Sequence, residues 1–362
     1  MDIQRLADLQ LERTAARKAK LTDFYDPSGS TRFLIMQTGP CLRCDECNSV
    51  KQVVENNLRQ LAGDLAVTWT DELPYLEPWL GTGVYANAFG CEYVWREGAA
   101  PHVHYKYMKI DELRNVAKPD WRNSPLLLMV LDAIDALKEA GADSFPIALT
   151  DTQSAFDTAT LILDAVEFFA SCHEEAELAA HFMNRINELV AEFSAEQLRR
   201  IGPALAARPG HIMPSFAGGP GIAVSDDNLA VASPHINETF SLPCNKRLAG
   251  LFGGVAIHSC GPWHHTMRKA FEEGGALMVD CALHKSCDPC PNQPAAVRDA
   301  LKGLKKPILK IRLGGSLEEI EALVEEVFDP SLKLVVHIPL VKDDEERRYK
   351  RLQGRLEKLY AH

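Results

Sequence analysis

The run Val255-Ala256-Ile257-His258-Ser259-Cys260-Gly261 ends an apolar stretch with an imidazole and a thiol two residues apart. Residues i and i+2 of a strand point to the same side, so His258 and Cys260 can converge on one ion. Zinc takes such mixed nitrogen and sulfur ligands, and a catalytic zinc keeps three protein ligands with one position open. The same spacing also describes a buried cysteine beside a hydrogen-bonded histidine. A second constellation is Cys41-x2-Cys44-x2-Cys47, with Cys281 and Cys287-x2-Cys290 further along the chain. Cys-x2-Cys pairs suit a second zinc or an iron–sulfur cluster, because one tight turn aims both sulfurs at one ion. The spacing is equally compatible with one shared site, two separate sites or reduced loop thiols.

Such side chains need elements that hold them. Apolar runs of strand length occur at Phe33–Gln37, Leu65–Thr70, Phe145–Thr150, Ile212–Phe216, Val255–Cys260, Ala276–Cys281, Ile308–Leu313 and Leu332–Pro339. Helical periodicity fills most intervals, at Val50–Ala62, Ala155–Ser171, Glu174–Leu205, His235–Leu251, Thr266–Glu273, Pro294–Leu304 and Leu317–Phe328, with a charged helix over Asp343–Tyr360. Strands alternating with helices predict parallel βαβ units. Eight units predict a single α/β domain, a (β/α)8 TIM barrel, with an N-terminal helical extension over residues 1–30. Two excursions, Asp71–Asp120 and Ala217–Pro234, are expected as long loops at its C-terminal mouth.

Barrel chemistry gathers where strands end. The expected strand ends carry Gln37, Asp71, Asp151, Gln153, His258, Cys260, Asp280, Cys281 and His337, whereas the strand starts read as ordinary surface. This asymmetry predicts an enzyme, with Asp151 and Gln37 in the reactive pocket and Asp71 and Gln153 contacting substrate. A carboxylate beside a metal-bound histidine would fix its tautomer. His102-Val103-His104 reads as an exposed hairpin, and Gly218-Gly219-Pro220-Gly221 as a flexible wall of the pocket.

Composition bounds the remaining classes. The chain has 362 residues, 46% hydrophobic and 25% charged, near globular averages. Its 39 basic and 50 acidic residues leave −11, which argues against nucleic acid or an anionic membrane as a partner. No apolar run approaches the roughly 18–20 residues that span a bilayer. The opening Met1-Asp2-Ile3-Gln4-Arg5-Leu6 reads as a charged amphipathic start, so a cytoplasmic protein is expected.

Ser225-Asp226-Asp227-Asn228, Ser233-Pro234, Glu238, Pro243 and the His258-Ser259-Cys260-Gly261 turn resemble the uroporphyrinogen decarboxylase superfamily. The likeness extends to its corrinoid-linked methyltransferase branch, which Asp71-Glu72-Leu73-Pro74 and Phe89-Gly90-Cys91-Glu92 also resemble. It covers roughly residues 30–340 and implies a (β/α)8 barrel. It further implies zinc on His258 and Cys260, and a corrinoid (cobalamin) carried by a separate corrinoid-binding protein. A third ligand is implied on the last strand, where this chain has His337 in place of cysteine; Cys281 is the alternative. Asp227 and Glu238 are implied as proton-transfer or substrate residues. A His-Cys-His set would leave bound zinc with a net positive charge and make it a stronger Lewis acid.

The implied reaction moves a methyl group between a small substrate (a methoxy or methylamine-type donor, or a thiol acceptor) and the corrinoid. The arginine-rich segment of classical porphyrinogen decarboxylases is here Met36-Gln37-Thr38-Gly39-Pro40. A polycarboxylate porphyrinogen would be poorly neutralised without those arginines. Metal-dependent decarboxylation of another substrate on the same barrel, or non-catalytic tetrapyrrole binding, are the rival readings.

Overall fold

A computed structural model describes residues 3–42, 47–96, 99–141 and 143–361. Its centre is a six-stranded parallel sheet. The strands are β1 (Phe33–Thr38), β2 (Ile222–Ser225), β3 (Val255–His258), β4 (Ala276–Ala282), β5 (Ile308–Arg312) and β6 (Lys333–Pro339). They lie in the order β1-β6-β5-β4-β3-β2, so neighbours from β2 to β6 are consecutive in sequence. Helices separate them, as parallel crossovers require. All four residues of β3 are buried, as befits a sheet covered on both faces.

Between the edges β1 and β2 run further segments held by isolated β-bridges and backbone hydrogen bonds. The Asp71 N–H donates to the Ile35 carbonyl at 2.8 Å, Leu76 bridges Ile147 in parallel, and Gln153 bridges Ser225. The α/β fold expected from the sequence is present, as a parallel central sheet of six ladder strands with further segments joined by isolated bridges. The sequence expectation failed at two segments. Residues 65–70 begin inside the helix Val50–Ala66, and Ile212–Phe216 is no strand of the main sheet. Ile212 has a φ of 49° and Pro214 lacks an N–H, so neither supports a ladder. The strand in that place is β2, only four residues long and preceded by Gly218-Gly219-Pro220-Gly221. That glycine segment thus precedes the start of β2, at the opposite end from His258, and forms no wall of the site.

The N-terminal extension is a helix over Ile3–Tyr25. Its Leu21 and Phe24 pack with Leu34, Ala223, Ala256, Met278 and Val335, one from each of five strands. Lys333 is buried in β6 and donates to the carbonyls of Phe24 and Asp26 at 2.7 and 2.8 Å, fastening this helix to the sheet. The helix Pro125–Ala140, not anticipated from the sequence, starts on a Ser124 cap with Pro125 in its first turn. The hairpin containing His102 and His104 is present, pairing Glu92–Arg96 with Ala99–His104. No helix among the described residues is long and apolar enough to cross a membrane.

Candidate metal centre

Strand β3 delivers His258 at its last position, and the chain turns immediately after it. Gly261 takes a φ of 71°, and a Cβ there would lie 2.7 Å from the Ala230 methyl, so both backbone and space favour glycine. The turn brings Cys260 Sγ to 3.6 Å from His258 Nε2. Asp227 Oδ1 lies 3.9 Å from the same nitrogen and accepts the Cys260 backbone N–H at 2.6 Å. One donor atom each from Asp227, His258 and Cys260 falls within 4.8 Å of the other two, a grouping able to hold one metal ion. Oxygen, nitrogen and sulfur in one set suit zinc.

The histidine is oriented from behind. Register pairs His258 with Asp280 of β4, and His258 Nδ1 lies 2.7 Å from Asp280 Oδ2. An Nδ1–H donated to that carboxylate leaves the Nε2 lone pair facing Cys260 and Asp227, the tautomer a metal ligand needs. Lys310 Nζ reaches Asp280 Oδ1 at 2.6 Å and Arg312 Nε reaches Oδ2 at 3.0 Å. Both Asp280 and Lys310 are fully buried. Burial alone would raise the Asp280 pKa, but the Lys310 and Arg312 charges and the His258 bond hold it well below the carboxylate range. Burial foremost, helped by the Asp227 charge, pushes the Cys260 thiol up to about 12. A bound cation would reverse that, since a coordinating thiol gives up its proton.

Further residues fix the two loops. Asp157 accepts the backbone N–H groups of Asp227 and Asn228 at 2.7 and 2.8 Å, which sets the Asp227 turn. Asp288 and Asn292 clamp the turn after Cys260, through the N–H groups of Gly261, Trp263 and His264. Asp226 is buried and accepts from Ser241 and Asn245, yet burial raises its pKa to about 6. A carboxyl raised in the folded state contributes stability below the unfolded pKa and loses it as pH rises through the folded one. Stability is therefore expected to fall between about pH 4 and 6 through this residue. Asp226→Asn should flatten that fall in urea denaturation measured across the range; an unchanged slope would refute it.

The other expected site residues are placed as follows. Asp151 and Gln153 lie near the centre: Asp151 accepts from Ser225 Oγ at 2.8 Å and Gln153 Nε2 at 2.9 Å. It also lies 3.7 Å from the Nε2 of His211, whose ring centroid is 6.4 Å from that of His258. Asp71 instead accepts from Lys20, Tyr349 and the Ile35 N–H, joining β1 to the first and last helices. Gln37 donates to the carbonyls of Trp69 and Glu345. Glu238 is exposed on a helical turn.

Neither His337 nor Cys281 joins the donor group; the third donor is Asp227. His337 Nε2 contacts Thr38 Oγ1 at 2.6 Å, and burial with the Lys310 charge pulls its pKa to about 3. Cys281 is buried within β4, where its thiol is pushed up. Cys47 is buried with its thiol raised to about 12, while Cys41 and Cys290 are exposed and Cys287 half-buried. Cys44 lies outside the described residues. Among the described residues no metal-holding group includes Cys41, Cys47, Cys287 or Cys290. His211, Asp280, Lys310 and Arg312 were not assigned roles from sequence; a lone Asp at a strand end was the only signal among them.

The uroporphyrinogen decarboxylase (URO-D) family profile matches residues 81–206. No curated protein sequence matches the chain. Among solved structures, a methyltransferase from Methanosarcina mazei is similar in fold, with a TM-score of 0.60 at 14% identity, over 95% of this chain and 99% of that one. A member of the enolase superfamily from Salmonella Typhimurium gives a TM-score of 0.35 at 11% identity, over 87% of this chain and 59% of that one. Residues 81–206 thus resemble the uroporphyrinogen decarboxylase family, and over nearly its whole length the chain shares the fold of a solved methyltransferase.

Proposed function

We propose that this chain is a zinc-dependent methyltransferase, moving a methyl group between a small substrate and a corrinoid carried by a partner protein. The observation that carries the reading is the Asp227–His258–Cys260 group with Asp280 behind the histidine. The fold shared with a methyltransferase supports it. Zinc in this set would supply Lewis acidity and hold a thiol as thiolate, and the corrinoid would supply the cobalt that exchanges the methyl group. Asp280 keeps His258 in the ligating tautomer. Asp227 fixes the Cys260 turn through its backbone N–H and offers an oxygen donor.

Asp227 in place of His337 changes the chemistry. Two anionic donors, Cys260 and Asp227, would balance a dication, whereas one thiolate with two histidines leaves a net positive charge. A neutral site withdraws less electron density from a bound thiolate, so it suits thiol activation better than the His-Cys-His set does.

Elemental analysis of anaerobically purified protein should find one zinc per chain, lost in Cys260→Ala. Mixing the chain with methylcobalamin and thiols, or with reduced cobalamin and methoxy compounds, should change the cobalt absorbance. No metal in either protein would sink the mechanism, and no absorbance change in both panels would count against methyl transfer.

A further inference from the structure

At the end of the sheet away from His258 lies a cavity of about 480 Å³, framed by residues at or before the strand starts. Leu277 lies at the start of β4, Ile308 and Lys333 are the first residues of β5 and β6, and Gly253 precedes β3. Three lysines line it: Lys305, Lys306 and Lys333. Lys333 is 2% exposed and donates to the carbonyls of Phe24 and Asp26, while Lys306 Nζ donates to the Pro27 carbonyl at 3.0 Å. These acceptors are neutral. Among the described residues no carboxylate forms an ion pair with any of the three lysines. The Asp23 and Asp26 carboxylates act on Lys333 only at longer range and accept instead from Thr31, Ser30 and Ser28. Burial, with the Lys306 charge, lowers the Lys333 pKa. A buried cation without a counter-charge is costly. Lys306 adds a second cost, because its φ of 51° is a left-handed conformation unusual for a residue with a Cβ.

We propose that this cavity is a second binding site, for a phosphate monoester with a compact apolar body, with Lys305, Lys306 and Lys333 holding the phosphate. Ammonium groups are compact point charges that suit a phosphate dianion. Each carries three N–H donors; Lys333 spends two on carbonyls and Lys306 one, which leaves donors for phosphate oxygens. The bound anion supplies the counter-charge that the chain itself does not. Leu277, Ile308 and the Tyr25 ring give the cavity an apolar wall, and its volume lies within the roughly 300–1,000 Å³ of small-molecule sites. The chain as a whole carries −11, so anions are not drawn to its surface in general, and three lysines around one cavity stand apart from that background. The site lies at the opposite end of the strands from Asp227, His258 and Cys260 and does not depend on a metal there.

Isothermal titration calorimetry of the full-length chain tests this, with phenyl phosphate, inorganic phosphate and benzyl alcohol as probes. Phenyl phosphate should saturate a single site, at least about tenfold more tightly than inorganic phosphate, because its ring meets the apolar wall. Benzyl alcohol, which lacks the charge, should give no saturable binding. Lys305→Gln and Lys306→Asn should each weaken phenyl phosphate binding about tenfold or more, with the melting curve of the unliganded chain close to wild type. Asparagine tolerates the left-handed conformation at 306, and Lys305 is exposed, so neither change threatens the fold. Cys260→Ala should bind phenyl phosphate within about threefold of wild type, which separates this cavity from an anion held at the metal centre. Absence of saturable phenyl phosphate binding would overturn the proposal. So would inorganic phosphate or benzyl alcohol binding as tightly, an affinity that survives either lysine change, or its loss in Cys260→Ala.

Discussion

Asp280→Ala is expected to cost about 3–5 kcal/mol of folding stability, because it strands a fully buried Lys310 and removes a partner of Arg312. Few single changes in this chain should cost more. The Coulombic worth of the intact network is a separate matter, since desolvating Asp280 and Lys310 offsets much of their attraction. Breaking it from one side nonetheless leaves a cation in a dry interior, where its charge cannot be rehydrated. Asp280→Ala should also lower metal affinity about 10–100-fold, the usual effect of losing the carboxylate behind a ligating histidine. Urea denaturation and competitive zinc titration measure the two effects. A stability loss within about 1 kcal/mol would show that Lys310 finds another partner or water.

The pH dependence carries a matching signature. A carboxyl whose folded pKa is depressed contributes stability above its unfolded pKa, and loses it as pH falls through the folded value. For Asp280 that contribution is complete above about pH 4 and drains away in stronger acid. Asp226 acts in the opposite sense and over a higher window, so the two residues are separable in one stability-against-pH curve.

The second large effect separates Asp227 from the ligands expected on the sequence alone. Asp227→Asn should weaken zinc binding by at least about 100-fold, because it removes an anionic donor from the set. His337→Gln and Cys281→Ser should leave affinity within about threefold, since neither side chain belongs to the donor group. Competition against a chromophoric chelator reads all three variants. A loss with His337→Gln and none with Asp227→Asn would restore the histidine as third donor and return the site to a net positive charge. Asp227→Asn also weakens the acceptor for the Cys260 N–H. Its circular dichroism melt therefore has to remain close to wild type for the affinity to be interpreted.

What the sequence determined by itself was much of what depends on local period, although the helix Pro125–Ala140 escaped it. The sequence paired His258 with Cys260, though the turn after β3 rather than strand period brings them together. Alternation of apolar runs and helical stripes announced the parallel α/β fold, and the charged start became the Ile3–Tyr25 helix. Local period fails where an element is too short to show it. Ile222–Ser225 is four residues behind a glycine run and shows no period of its own, while Ile212–Phe216 is apolar without forming a strand of the main sheet.

Tertiary structure alone decided which polar groups meet. His258 and Asp280 are 22 residues apart and became partners because the register of β3 on β4 sets them side by side. Lys310 lies in an apolar strand, and only the fold reveals that its charge is fully buried against Asp280. His337 stood at the right strand end, yet its Nε2 turned to Thr38, while Asp227 reached the site because Asp157 holds its turn. The physical reason is range. Side-chain period acts within one segment, whereas the separations that make a metal site are set by register and packing between segments distant in the chain.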